Sequence, residues 1–138
     1  MSHLKRQKVP KSWPSKRKGT KYVVRPNSDT NKGLPILVVL RDVLKIAQNR
    51  KEVKKAIHLK HILLNKKPVI DEKNTALLYD IITIVPSKLN YILKISNRGK
   101  FNVEEIKEKE SERKIVKIID KKILKGKKTQ LNLSDGRN

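Results

Sequence analysis

Two histidines, His58 and His61, lie three residues apart, the spacing at which a helix can bring two imidazoles to one metal. The chain has no cysteine and no third convergent ligand beside them, so a helix end or a phosphate contact is the better role. The acids of "EEIKEKE" alternate with Lys107 and Lys109, the pattern of a solvated face and not of paired catalytic carboxylates. Lone serines such as Ser28 and Ser87 have no local base, and no glycine-rich phosphate loop is present. None of these residues recommends an enzyme, a metal or a cofactor. What remains is the chemistry of cations. In "RDVLKIAQNRKEVKKAIHLKHILLNKKPV", Arg41 to Val69, almost every surface position is Lys or Arg.

That stretch is typical of the whole chain. Lys and Arg total 35 against 13 Asp and Glu, a formal net charge of +22 over 138 residues. Such an excess repels itself in a compact fold, so the native state calls for a polyanion: nucleic acid, an anionic membrane surface or an acidic protein. Lys outnumbers Arg by 27 to 8, which favours point-charge contact with phosphate over bidentate base reading. Shape and backbone readout therefore fit better than sequence readout. The absence of cysteine excludes a disulfide scaffold and thiolate chemistry. No apolar run approaches the roughly 18 residues of a membrane span, and the basic, polar amino terminus has no signal-peptide core. A soluble, cytosolic chain without a small-molecule substrate is the expectation.

The elements that must carry this charge divide into three. Residues 1–33 form a basic arm with ten cations and one acid, Asp29, interrupted by Pro10, Pro14 and Pro26. With no apolar period, the arm is expected to be disordered alone and to order on RNA. Trp13 and Tyr22, interleaved with the charge, offer flat faces on which bases could stack. From Pro35, "LPILVVLRDVLKIA" predicts a first helix with 36, 37, 40, 44 and 47 on one face. "QNRKEVKKAIHL" restarts a helix, with Asn49 as N-cap and Glu52 at capping-box spacing. Val53, Ala56 and Ile57 form its buried stripe; Arg50, Lys51, Lys54 and Lys55 lie opposite, extended by Lys60, Lys66 and Lys67 into a positive ridge. The helix amino terminus would add amides that face phosphate.

Strands follow: "HILLN", "PVI" after the turn-like "NKKP", "DIITIV", then "NYILKIS" and "KFNV" flanking an "NRG" hairpin turn. "EEIKEKESERK" reads as one or two helical turns, and "KIVKIIDKKIL" and "TQLNL" as two more strands. Arm, helix pair and strands in this order predict an α+β fold, with 34–86 one unit and 87–138 a β-rich second.

A resemblance enters on these residues. The helix-helix-strand unit with its basic second helix and "DIITI" strand resembles the small RNA-binding domain named after bacterial ribosomal protein S-four. More narrowly, "HLKRQKVPKSWP" is similar to the opening of the archaeal and eukaryotic ribosomal family S-four-e. So, in order, are "VVRPNS", "LPILVVLRDVLKIA", "KEVKKAI", "YDIITI", "NRGKF" and "LNLSDGRN", a likeness over nearly the whole chain. The chain departs from the family pattern at "DTN", "LLNKKPV" and "NTA". It also stops at Asn138, in mid-domain by comparison, which should leave a sheet edge unpaired and Ile118 and Leu131 short of neighbours.

The resemblance implies a structural constituent of the small ribosomal subunit, in the cytoplasm, that clamps and rigidifies rRNA beside neighbouring ribosomal proteins. On this reading the arm contacts are Lys5, Arg6, Lys8, Lys11, Trp13, Lys16, Arg17, Lys18 and Arg25. Those of the domain are Arg41, Lys45, Arg50, Lys51, Lys54, Lys55, Lys60, Lys66 and Lys67. The competing readings are the S-four-type domain of an RNA-modifying enzyme and a free-standing RNA chaperone.

Overall fold

The computed structural model describes residues 3–138, so the first two positions of the arm lie outside the described residues. The fold is mixed, α+β, and dominated by short antiparallel strands. Strand β1 (Leu4–Lys5) pairs with β2 (Tyr22–Val23), and β3 (Gly33–Pro35) leads into the first helix, α1. Helix α1 begins as Ile36–Val38 and widens into a π-helical turn over Val39–Val43, closed by the Leu44 amide on the Val39 carbonyl at 2.9 Å. Every residue from Ile36 to Leu40 is buried, so this helix is apolar all round because it is enclosed on all sides. The predicted continuation to Ala47 does not form. Lys45 turns into the left-handed region (φ 54°), and the chain leaves the helix there.

Helix α2 (Arg50–His58) buries Val53 and Ile57 against α1, as its periodicity predicts. Its capping box is only half used. The Asn49 side chain makes no cap bond, while Glu52 accepts the Gln48 amide at 2.7 Å, one residue further back than the box requires. The carboxyl end closes with the amide of Lys60 on the Ile57 carbonyl (2.9 Å) and that of His61 on the Ala56 carbonyl (3.0 Å). This closure needs a left-handed residue, usually glycine, and here it is Lys60 at φ 57°. Lys60→Gly is therefore expected to stabilise the chain by about 1 kcal/mol, raising Tm by roughly 2–4 °C. A thermal melt with an unchanged or lower Tm would contradict it.

Five strands form the main sheet in the order β5 (Lys67–Pro68), β4 (Ile62–Leu64), β7 (Ile81–Ile84), β8 (Leu89–Ile95), β9 (Phe101–Ile106), all antiparallel. Asn65 and Lys66, both at positive φ, make the two-residue turn between β4 and β5. The acids Glu104 and Glu105 continue β9 because Phe101 and Val103 pack inward on alternate positions; only Glu110–Glu112 makes a helical turn. Strand β6 (Thr75–Leu77) pairs instead with β3, so closely that a Cβ on Gly33 would lie 2.3 Å from the Ala76 carbonyl oxygen. The Ile36 and Leu37 amides, unpaired within their own helix, donate to Asn74 and Glu72 carbonyls at 2.9 and 3.1 Å.

The arm departs most from expectation. It has a core anchor after all, Trp13, which is 2% exposed and donates its indole N–H to the Thr30 carbonyl at 3.0 Å. Leu4, Val9, Val23 and Val24 pack against the same core cluster, and the Phe101 amide of β9 donates to the Ser12 carbonyl at 2.7 Å. One apolar cluster thus joins Trp13, both helices and the sheet as far as Leu93 and Phe101. The expected divisions fall inside this unit: 33/34 lies within β3, and 86/87 lies between adjacent strands β7 and β8. Beyond it, β10 (Ile118–Ile123) and β11 (Thr129–Leu133) form a separate hairpin whose Ile118, Ile119, Ile123 and Leu131 are exposed.

Candidate nucleic-acid interface

The cations that sequence patterning singles out fall into distinct places once folded. Lys5, Lys8, Lys11, Lys16, Arg17, Lys18, Lys45, Arg50, Lys51, Lys54, Lys55, Lys60, Lys66 and Lys67 are exposed, and Arg6, Arg25 and Arg41 half-buried. Trp13 is the exception. Its ring is enclosed in the core, so neither face is open to a base, and its place among the contacts is corrected to an anchor of the arm.

Four of the predicted arginines meet. A cleft of about 550 Å³ runs between the arm and the helix pair, lined by Arg6, Arg25, Arg41 and Arg50 together with His3, Tyr22 and Lys73. Each element contributes for a local reason. The turn after β1 places Arg6; the strand β2 leads into Arg25; the π-helical turn of α1 carries Arg41; the first residue of α2 is Arg50.

Most of these guanidiniums are held. Arg6 staples the arm loop, donating to the carbonyls of Thr20 (2.7 Å) and Lys16 (2.8 Å) and to the Thr20 hydroxyl (2.9 Å). Arg41 grips its neighbour Asp42 bidentately at 2.8 and 3.0 Å. Arg50 donates from Nε to Glu72 Oε1 at 2.7 Å and from Nη2 to the same oxygen, with Lys54 Nζ 3.9 Å away. Glu72 is buried, and its Oε2 has no protein hydrogen-bond partner among the described residues. The hydrogen bonds that Arg41 and Arg50 donate to Asp42 and Glu72 outweigh desolvation and hold both guanidiniums above their ordinary range. Arg6, Arg41 and Arg50 are thus fixed in direction before any ligand arrives, the arrangement that suits phosphate recognition.

The lysines are arranged differently. Lys5, Arg17 and Lys18 surround a depression beside Arg6, with Lys21 at its rim, and Lys11 and Lys16 border another with Lys100. Lys54 and Lys60 share a groove with His58 that also holds Asp71 and Glu72, so the expected ridge is broken there by acids. Lys66 and Lys67 sit at the β4–β5 turn, and Lys51 and Lys55 on the outer face of α2. Sequence patterning missed Lys73 and Glu72. The "DEK" run carrying both is a short charged loop in one dimension, and only the return of 72–75 along α1 and β3 gives it a partner. Among the described residues no group of His, Cys, Asp and Glu could hold a metal, and no helix is long and apolar enough to cross a membrane.

With this geometry in place, comparison with known proteins is informative. A family model described as ribosomal family S4e matches residues 87–138, and one described as the RS4NT (NUC023) domain matches residues 2–28. The small ribosomal subunit protein eS4 of Methanocella arvoryzae is 39% identical over 98% of this chain and 58% of its own length. Its counterpart from Methanococcus aeolicus is 35% identical over 99% of this chain and 56% of its own. The chain therefore spans a little over half the length of the curated relatives it matches. The crystal structure of the 30S ribosomal protein S4e from Thermoplasma acidophilum shares the fold, with TM-score 0.64 at 23% identity, covering 77% of this chain and 54% of that one.

Proposed function

Because the chain belongs to the ribosomal S4e family, we propose that it acts as a structural, non-catalytic constituent of the small ribosomal subunit in the cytoplasm. It binds and rigidifies small-subunit rRNA beside neighbouring ribosomal proteins. Within the continuous fold, the stretch 34–86 supplies the S-four-type RNA-binding portion, and 87–138 the β-rich portion that begins a central domain while sharing its first strands with that sheet. The observation that carries this reading is the clustered display of cations: four arginines lining one cleft, and α2 presenting Lys51, Lys54 and Lys55 outward with Val53 and Ile57 buried. In folded RNA, neutralising phosphate dominates affinity and releases counterions. A scaffold at +22 gains most from such a partner, and the arm, already docked through Trp13, need not order itself on binding.

The expected result for Lys51→Ala/Lys55→Ala/Lys54→Ala is an intact fold with weaker RNA binding. Each lost phosphate contact should flatten the slope of log affinity against log salt by about 0.7–0.9. Lys54 should count for less, since Glu72 already attracts it. Binding titrations of the triple variant at several salt concentrations check this, and an unchanged slope would reduce the face to a solvated surface. Co-sedimentation with small ribosomal subunits at moderate salt tests the assignment itself.

A further inference from the structure

We propose that Tyr22, with His3 and Lys21 around it at the arm–helix cleft, is a stacking platform for one unpaired base of RNA, an inference that rests on the RNA-binding reading above. The arm has two aromatic rings whose faces could meet a base, and the fold spends one of them: Trp13 is closed into the core. Tyr22 is 48% exposed, although Val23 beside it packs against the core. The ring is not on a swinging tail. Pairing of Leu4 with Val23 and Lys5 with Tyr22, and the Arg6 amide on the Lys21 carbonyl at 3.0 Å, fix its backbone. A ligand therefore meets a platform that is already placed, with little ordering entropy to lose.

Three features of the surroundings suit a nucleotide. The His3 ring lies 5.2 Å from Tyr22, tilted by 54°, so a second flat group adjoins the first. Lys21 Nζ stands over the Tyr22 ring at 5.5 Å from its centre, a flexible cation on one face that a base would displace or leave in place on the far side. The cleft lined by Tyr22 also holds Arg25, Arg41 and Arg50, and a phosphate of the same nucleotide would meet the guanidinium edges that Asp42 and Glu72 leave open on Arg41 and Arg50. At about 550 Å³ it falls within the roughly 300–1,000 Å³ of clefts that take small ligands. Stacking needs no particular base, because every base has a π-face, so the platform adds affinity for unpaired nucleotides and little sequence preference. A double helix, whose bases are stacked on one another, cannot use it.

The test uses the full chain and an abasic RNA octamer carrying a single 2-aminopurine, against the same octamer fully abasic. The wild-type chain is expected to bind the one-base octamer roughly 5- to 10-fold more tightly and to quench its fluorescence. Tyr22→Phe should behave as wild type. Tyr22→Leu, which keeps strand and bulk, should lose both the quenching and the preference while leaving the salt slope unchanged, since no charge is removed. Trp13 emission and far-UV circular dichroism report whether each variant is folded. If wild type prefers the one-base octamer no more than the abasic one, or if folded Tyr22→Leu retains the quenching, the platform is overturned while the phosphate reading stands. If wild type binds neither octamer nor folded RNA at low salt, both readings fall.

Discussion

Trp13→Ala is expected to cost the chain about 3–5 kcal/mol of folding stability, a fall in Tm on the order of 10–15 °C. The indole is 2% exposed and shares one apolar cluster with Leu34, α1, Val53, Leu93 and Phe101. Removing it leaves a cavity where the arm crosses the end of the sheet and also removes the bond to Thr30. Trp13→Phe keeps a ring but not the indole N–H, and should lose roughly 1–2 kcal/mol. Trp13 is also the only tryptophan, so its emission reports the docking of the arm in the unmodified protein. Short-wavelength emission in buffer, shifting to long wavelength together with loss of circular dichroism in urea, is the expected result. Water-like emission before any denaturant is added would mean that the arm is detached in solution and that Trp13 anchors nothing.

The reason the arm reads as disordered is instructive. Over residues 1–33 the charge is +9, ten cations less Asp29, and Leu4, Val9, Trp13, Val23 and Val24 are too widely and irregularly spaced to show any period. They do not form an element with a buried face. Each instead supplies a single anchor to a core built elsewhere, and tertiary contact of that kind leaves no periodic trace. Periodic elements were legible. Val53 and Ile57 mark the buried side of α2, and the apolar, β-branched-rich runs "DIITIV" and "NYILKIS" yield β7 and β8 in the interior of the sheet. The end of α1 was not legible, because Lys45 adopts a left-handed conformation that sequence assigns to glycine.

The candidate interface was legible by type more than by arrangement. Charge alone pointed to a polyanion, and helical spacing put Lys51 and Lys55 on the outer face of α2. Spacing could not reveal that Arg6, Arg25, Arg41 and Arg50 line one cleft, since the arm arginines lie 16 to 44 residues from those of the helix pair and meet them only through the arm's fold-back. Nor could it show that Arg50 is committed to a buried carboxylate. A buried Glu72 in so basic a chain carries no local mark; its burial follows from the tie between its carbonyl and Leu37.

Lys114→Met is expected to loosen the carboxyl-terminal hairpin from the sheet by about 2–3 kcal/mol. Lys114 Nζ lies 2.5 Å from Asp80 Oδ1 and 2.9 Å from Asp135 Oδ2, and all three side chains are nearly buried, at 14%, 3% and 5% exposed. Breaking a buried pair by removing one partner typically costs about 3–5 kcal/mol, because the remaining charge is stranded. Here both carboxylates keep other donors, which lowers the expectation. Asp80 still accepts from Asn65 Nδ2 (3.0 Å) and the Leu77 amide (2.8 Å), and Asp135 from the Arg137 amide (3.1 Å). Among the described residues strands β10 and β11 pair only with each other, so their amides should lose hydrogen-exchange protection before those of β7 and β8. The pH dependence separates this bridge from simple packing. Burial pushes the Asp135 carboxyl up, but hydrogen bonds from Lys114 and the Arg137 amide and the charges of both residues outweigh it and hold it below the ordinary 3.8. In wild type its contribution is therefore fully present above pH 3.8 and is lost as pH falls through the depressed folded value. Without Lys114 the Asp135 carboxylate loses the cation that offsets its desolvation, its folded pKa rises, and protonation relieves the variant. The deficit should be largest near pH 7 and shrink as pH falls toward 3.8. A deficit independent of pH over that range, or equal loss of protection in β7 and β10, would show that Lys114 acts through packing alone.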